Sequence, residues 1–262
     1  MKEGFHITEQ EIGCYFNMKY LYVNGCSMSD GSCLYAGDAD ERIEKFDFIN
    51  DGNWDIGFFE RWSKLLSDKL DIKEINEAQH GGSNDRMIRM TMDWCSNNKS
   101  KLKDTLFVMG WTAFNRFEFW DNFLNRFVQV SNGEPTHNDR DDKRLQLYVN
   151  QYWKERHNDS ETYDKLLRNI ISLQSFFKSN NLSYLFIDAI GGQVKIIREH
   201  RFESFVDKKH WWNYHESIDS FSALASELNS YGIDYDGMEG HPGIEAHKEL
   251  SEQLYVKVKD IL

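Results

Sequence analysis

Tyr20-Leu21-Tyr22-Val23-Asn24-Gly25-Cys26-Ser27-Met28-Ser29-Asp30-Gly31 is an apolar run that breaks into a turn bounded by glycines. Aromatic and β-branched residues dominate its first five positions, which predicts a strand over Tyr20–Asn24. The Gly-Cys-Ser turn then places Ser27 just past the C-terminal end of that strand, where open α/β sheets hold their ligands. Everything downstream tests whether the rest of the chain supplies such a sheet.

It does so by alternation. Helical periodicity runs from about Trp54 to Leu70, with Phe58, Phe59, Trp62, Leu65, Leu66 and Leu70 spaced mostly three or four apart. A weaker strand, Asp71 to Ala78, leads to Gly81-Gly82 and to a helix carrying Met87, Ile88, Thr91, Met92 and Cys95, with Ser83 or Asn84 as its cap. Thr105–Trp111 and Leu182–Ala189 are apolar enough for strands buried on both faces. A helix from about Ser160 to Lys178 separates them, and a last helix runs from Gly243 to Ile261. Short apolar runs alternating with longer helical ones predict a three-layer α/β/α fold whose mainly parallel, flavodoxin-like sheet has about five strands. With two prolines, no repeat and no low-complexity tract, the 262 residues read as a single domain. The segments at about 121–155 and 193–220, the latter containing His210-Trp211-Trp212-Asn213-Tyr214-His215, read as insertions near the site.

Composition removes several function classes. A formal net charge of −12 opposes the phosphate tracking by which Lys and Arg hold nucleic acid, so no nucleic-acid partner is expected. No run approaches the 18 apolar residues of a membrane span, and the first residues lack the apolar stretch of a signal peptide, so no membrane partner is expected. Cys14, Cys26, Cys33 and Cys95 show neither CxxC nor Cys/His zinc spacing. A soluble protein of the reducing cytoplasm is the expectation. The histidines, including His80, His210, His215 and His247, form no HExxH pair; neither a metal nor a cofactor is expected.

A serine hydroxyl needs a base before it can attack a carbonyl. His241 is the leading candidate, in the turn Glu239-Gly240-His241-Pro242 directly before the last helix, with an acid two positions earlier to orient the ring. Alone, Ser27 could equally be a turn cap and His241 a residue at a helix start. Cys26 offers a thiol beside Ser27, but adjacent residues at a strand end point in different directions.

The two stretches together resemble the SGNH/GDSL hydrolases, whose first block reads GDSxxxG and whose last places an acid shortly before a histidine. Here the first block reads GCSMSDG, keeping Gly25, Ser27 and Gly31, with Cys26 replacing the usual aspartate. The resemblance implies Ser27 as nucleophile, His241 as base and, since Met238 holds the usual acid position, Glu239 as acid, with Asp236 the alternative. It assigns the oxyanion hole to the backbone of Ser27 and of Gly81, with Gly82 as fallback; a glycine lets backbone N–H approach the developing charge. The third block, usually GxND, reads Gly110-Trp111-Thr112-Ala113, which puts Thr112 at the asparagine's place. Arg116 is a candidate to substitute for the missing asparagine at the oxyanion, and Arg116 with Glu118, in GWTAFNRFE, is expected to contact substrate or to brace the structure as an ion pair.

The implied activity is ester hydrolysis through an acyl-enzyme, on a small acyl or acetyl ester, with a glycan acetyl ester favoured by the aromatic insertions. Two alternatives stay open: a carbohydrate-binding or assembly protein whose third block and acid have drifted, and transfer of the acyl group to a sugar in place of water.

Overall fold

The computed structural model describes residues 18–31, 34, 60–136, 139–233 and 239–262. In chain order, β1 (Tyr20–Asn24) runs into a single turn of helix, α1 (Ser27–Asp30), and α2 (Trp62–Leu70) leads to β2 (Lys73–Asn76). Then come α3 (Asn84–Asn97), β3 (Thr105–Trp111), the short strands β4 (Phe117–Asp121), β5 (Arg126–Ser131) and β6 (Glu134–Pro135), and α4 (Lys143–Arg156). After α5 (Asp159–Ser179) follow β7 (Ser183–Asp188), α6 (Gln193–Glu199), α7 (Phe221–Glu227), β8 (Tyr231–Ile233), β9 (Glu239–Pro242) and α8 (Ile244–Ile261). The start of the helix expected from Trp54 lies outside the described residues; its second half is α2.

The central sheet has the order β2-β1-β3-β7, all parallel. Two isolated parallel bridges, Phe186 to Trp211 and Asp188 to Ser220, line the outer edge of β7, where a fifth strand would pair. The two-residue period of the strands sorts their side chains into two cores. Leu21, Val23, Leu106, Val108, Leu185 and Ile187 face one side, with Trp62 and Leu66 of α2, Phe221 and Leu224 of α7, and Leu250, Leu254 and Val258 of α8. Tyr22, Phe107, Met109, Trp111, Tyr184 and Phe186 face the other, against Met87 of α3, Leu166, Ile170 and Phe177 of α5, and Val194 and Ile197 of α6. Helices thus cover both faces, which makes the three layers.

Residues 117–156 are more ordered than the sequence suggested. β4, β5 and β6 form an antiparallel sheet, and Tyr148 and Tyr152 of α4 pack on Phe119 and Phe117 with centroids 4.8 Å apart in each pair. In the 193–220 segment Trp211 and Trp212 are fully buried, one in each core. They are core packing and cannot stack on a sugar at the surface.

Candidate active site

β1 ends where its side chains turn polar. The buried Asn24 amide donates to Tyr22 Oη at 3.2 Å, the Met87 carbonyl at 3.2 Å and Thr91 Oγ1 at 3.3 Å, and its Oδ1 accepts from the Gly25 N–H at 2.8 Å. This fixes the strand end against α3. The chain then enters α1, so that Ser27, only 3% exposed, begins a helical turn at the C-terminal edge of the sheet.

Two glycines make this turn possible. A Cβ on Gly110, near the end of β3, would fall 2.5 Å from Ser29 Oγ, and one on Gly25 would fall 2.8 Å from the same atom and 2.9 Å from the Gly110 carbonyl oxygen. The Ser29 side chain fills the space that both glycines leave.

The histidine arrives from the far end of the chain. His241 lies on β9, paired with Gly232 of β8, and its Nε2 is 2.7 Å from Ser27 Oγ. The structure therefore brings together the two residues singled out in the first and last blocks. The His80 ring stacks beside His241, with centroids 6.0 Å apart and planes 24° from parallel; nothing in the sequence around His80 signalled this neighbour. Glu239 contributes backbone to β9, whereas its side chain and Asp236, the alternative acid, lie outside the described residues.

The loop before α3 is tied to the serine turn. The Gln79 N–H donates to the Gly25 carbonyl at 3.3 Å, and the Gly82 N–H donates back to the Gln79 carbonyl at 2.8 Å. Gly82 is thereby occupied, whereas among the described residues no acceptor takes the Gly81 N–H. Gly81 has φ +68°, a conformation that favours glycine. Ser83 caps α3, its Oγ accepting from the Arg86 N–H at 3.2 Å.

Asn84 does something else. Its Nδ2 donates to the Thr112 carbonyl at 3.0 Å and its Oδ1 accepts from the Thr112 N–H at 2.9 Å. Thr112 is fully buried, and its Oγ1 accepts from Arg116 Nη1 at 3.0 Å. The ion pair sketched from sequence between Arg116 and Glu118 is not formed. Glu118, its side chain 5% exposed, takes Arg89 Nε and Nη2 at 2.7 and 2.8 Å and Gln129 Nε2 at 2.7 Å. Gln129 Oε1 in turn accepts from the Ser83 N–H at 3.2 Å and Oγ at 2.9 Å, linking the β4–β5 hairpin to the loop beside the serine. Glu118 alternates with aromatic neighbours along β4, and that period hid it as a buried brace.

Two buried groups near the site have displaced titrations. Burial, with smaller contributions from the His241 and Arg61 charges, pushes His247 down to about 3; its Nδ1 accepts from the Trp62 N–H at 3.0 Å. Burial pushes Asp188 up to about 6, against three backbone N–H groups, from Gly191, Gln193 and Val194, that favour its charged form. No described helix is long and apolar enough to cross a membrane.

No curated protein matches the sequence. Among solved structures, the acetyl xylan esterase Est2A from the rumen bacterium Butyrivibrio proteoclasticus superposes with a TM-score of 0.52 at 10% identity, over 94% of this chain and 64% of that one. TesA gives 0.49 at 12% identity, over 93% of this chain and 100% of that one. The esterase EstA from Pseudoalteromonas sp. gives 0.47 at 13% identity, over 92% and 97%. The fold is a three-layer α/β/α arrangement, which the chain shares with that acetyl xylan esterase. The sequence model of a family of unknown function, DUF6071, matches residues 48–251, and the chain belongs to that family.

Proposed function

We propose that the protein is a serine ester hydrolase acting through an acyl-enzyme. The observation that carries this reading is the 2.7 Å contact between Ser27 Oγ and His241 Nε2 at the C-terminal edge of a parallel sheet. Nε2 takes the Ser27 proton as Oγ bonds to the ester carbonyl carbon, and the carbonyl electron pair moves onto oxygen. The N–H groups of Ser27 and Gly81, with the Thr112 hydroxyl, receive that oxyanion. Collapse expels the alcohol, which takes the proton from His241. Water then repeats the sequence on the acyl-enzyme and releases the acid. Glu239, or Asp236 in its place, orients the imidazole with its proton on Nδ1.

The substrate class is a small acyl or acetyl ester, and an acetyl ester on a carbohydrate is the narrower case to test. Hydrolysis of short p-nitrophenyl esters by wild type and by Ser27→Ala is the direct experiment, with fluorophosphonate labelling of Ser27 beside it. Loss of turnover and of label in Ser27→Ala is expected. Equal rates in the two proteins would refute the assignment.

A further inference from the structure

β1 and β3 pair as far as Asn24 and Met109, and Ser27 and Thr112 each lie three residues beyond that rung on neighbouring strands. Thr112 therefore stands at the same sheet edge as the serine. Its backbone N–H and C=O are both spoken for by Asn84, so its side chain is the part left to act.

The bond from Arg116 Nη1 to Thr112 Oγ1 has only one possible direction. A guanidinium carries donors and no acceptor, so the hydroxyl oxygen must accept and its own proton must go elsewhere. Among the described residues no acceptor takes it. Arg116 is unusual in a second way. Of the half-buried arginines described, Arg61 and Arg89 hold carboxylates and Arg86 donates to the Glu77 carbonyl, whereas among the described residues Arg116 bonds only the Thr112 hydroxyl and nothing accepts from its buried Nε. In a chain of net charge −12, a cation with no carboxylate partner among the described residues stands one hydrogen bond behind Thr112.

We infer that Arg116 is a positioning residue: it turns the Thr112 hydroxyl into a polarised donor aimed at the oxyanion formed on attack by Ser27. The inference rests on the hydrolase reading above. When Ser27 Oγ bonds to the carbonyl carbon, the displaced electron pair resides on the carbonyl oxygen, which accepts the Thr112 O–H; no proton is transferred. The cation behind the hydroxyl strengthens a bond that is weaker in the ground state, so the effect belongs to the transition state.

The test is a double-mutant cycle on a neutral ester, p-nitrophenyl acetate. Thr112→Val and Arg116→Met should each lower kcat by about 100-fold, the scale of one oxyanion donor, while KM changes little. The double variant should be no slower than either single one, because each removes the same donor. Thr112→Ser and Arg116→Lys should recover much of the rate, which a packing role for the methyl or the guanidinium would not allow. If Arg116→Met does not fold, Arg116→Lys and Arg116→Gln carry the cycle.

Additive losses, or losses that move kcat and KM together, would overturn the inference. So would a loss confined to KM and to the anionic ester p-nitrophenyl hemisuccinate, which would make Arg116 a carboxylate receptor. Fluorophosphonate labelling separates the two levels: a labelled Ser27 with full kcat in Arg116→Met rejects this inference alone, and an unlabelled, inactive wild type rejects the hydrolase reading with it.

Discussion

The Trp62 backbone N–H, at the start of α2, donates to Nδ1 of His247 on α8. An imidazole accepting at Nδ1 must be unprotonated there, and His247 is fully buried, so the fold holds it neutral, with its affinity for a proton pushed down to about 3. An unfolded histidine titrates near 6.5. The folded value is the lower one, so the stabilising contribution is complete above about pH 6.5 and is lost as the pH falls toward 3, by about 1.4 kcal/mol per unit. Asp188, pushed up to about 6, has the opposite sign: its contribution is complete below about pH 3.9 and is lost as the pH rises through 6. Between about pH 6 and 4 the two offset each other. Urea denaturation of wild type against His247→Asn, which keeps an acceptor for Trp62, removes the offset. Relative to the variant, wild type should lose about 2 kcal/mol between pH 7.5 and pH 5. Parallel pH dependences in the two proteins would rule this account out.

Ser29 and Gly110 are a matched pair of small groups. The Cβ of Gly110→Ala would fall 2.5 Å from Ser29 Oγ, while its next neighbour, Ala189 Cβ, is at an ordinary 3.6 Å. The single substitution should destabilise by about 1–3 kcal/mol through overpacking. Removing the hydroxyl as well, in Ser29→Ala/Gly110→Ala, should restore most of that loss, since the buried Ser29 Oγ has no hydrogen-bond partner among the described residues. The coupling free energy from the four denaturation curves is the quantity to measure, and a value near zero would show that the strand end adjusts instead.

The sheet could be anticipated because local pattern encodes it. In β3 the successive residues Leu106, Phe107, Val108 and Met109 divide strictly between the two cores, so a continuous apolar run is what a doubly covered strand needs. Ser27 is conspicuous in the sequence because it sits where β1 gives way to α1, and His241 because it stands beside Pro242 just before α8, although the turn expected around it is strand β9. The small antiparallel sheet is not legible in the sequence, although Asn132-Gly133, both at positive φ between β5 and β6, is a strong turn signal; the polar and charged residues Asp121, Asn122 and Arg126 at the β4–β5 turn interrupt the alternation. The commonest use of an asparagine at a helix start is as a cap, whereas the clasp of Asn84 on Thr112 depends on a strand distant in sequence. His80 beside His241 is of the same kind: no local pattern predicts which loop closes over which.

Glu118 should behave as a brace. Its carboxylate is nearly enclosed, and removing it leaves Arg89 and Gln129 with donors that have lost their acceptor. Arg89 retains 30% exposure, so water recovers part of the loss; Glu118→Ala should cost about 1–3 kcal/mol. Because Gln129 also holds the Ser83 cap, amide exchange at the start of α3 should accelerate in the variant. Substrate contact by Glu118 predicts instead a raised KM with unchanged stability, and thermal denaturation beside steady-state kinetics distinguishes the two.

Asn84 offers a sharper electrostatic test. The amide meets both main-chain groups of Thr112, and it can do so only with Oδ1 toward the N–H and Nδ2 toward the carbonyl. Asn84→Ala leaves a buried N–H and C=O without side-chain partners and should cost about 1–3 kcal/mol. Asn84→Asp keeps the shape but points a carboxylate oxygen at the Thr112 carbonyl oxygen. Protonation of the introduced carboxyl would restore the donor, so its titration is raised in the folded state. Its stabilising contribution is then complete below about pH 3.9 and lost as the pH rises through the folded value. Relative to wild type, Asn84→Asp should therefore be least stable at neutral pH and recover on acidification. A deficit that is the same at pH 7 and pH 4 would mean that the Thr112 carbonyl has found another donor, and that Asn84 does not set the position of Thr112 beside the serine.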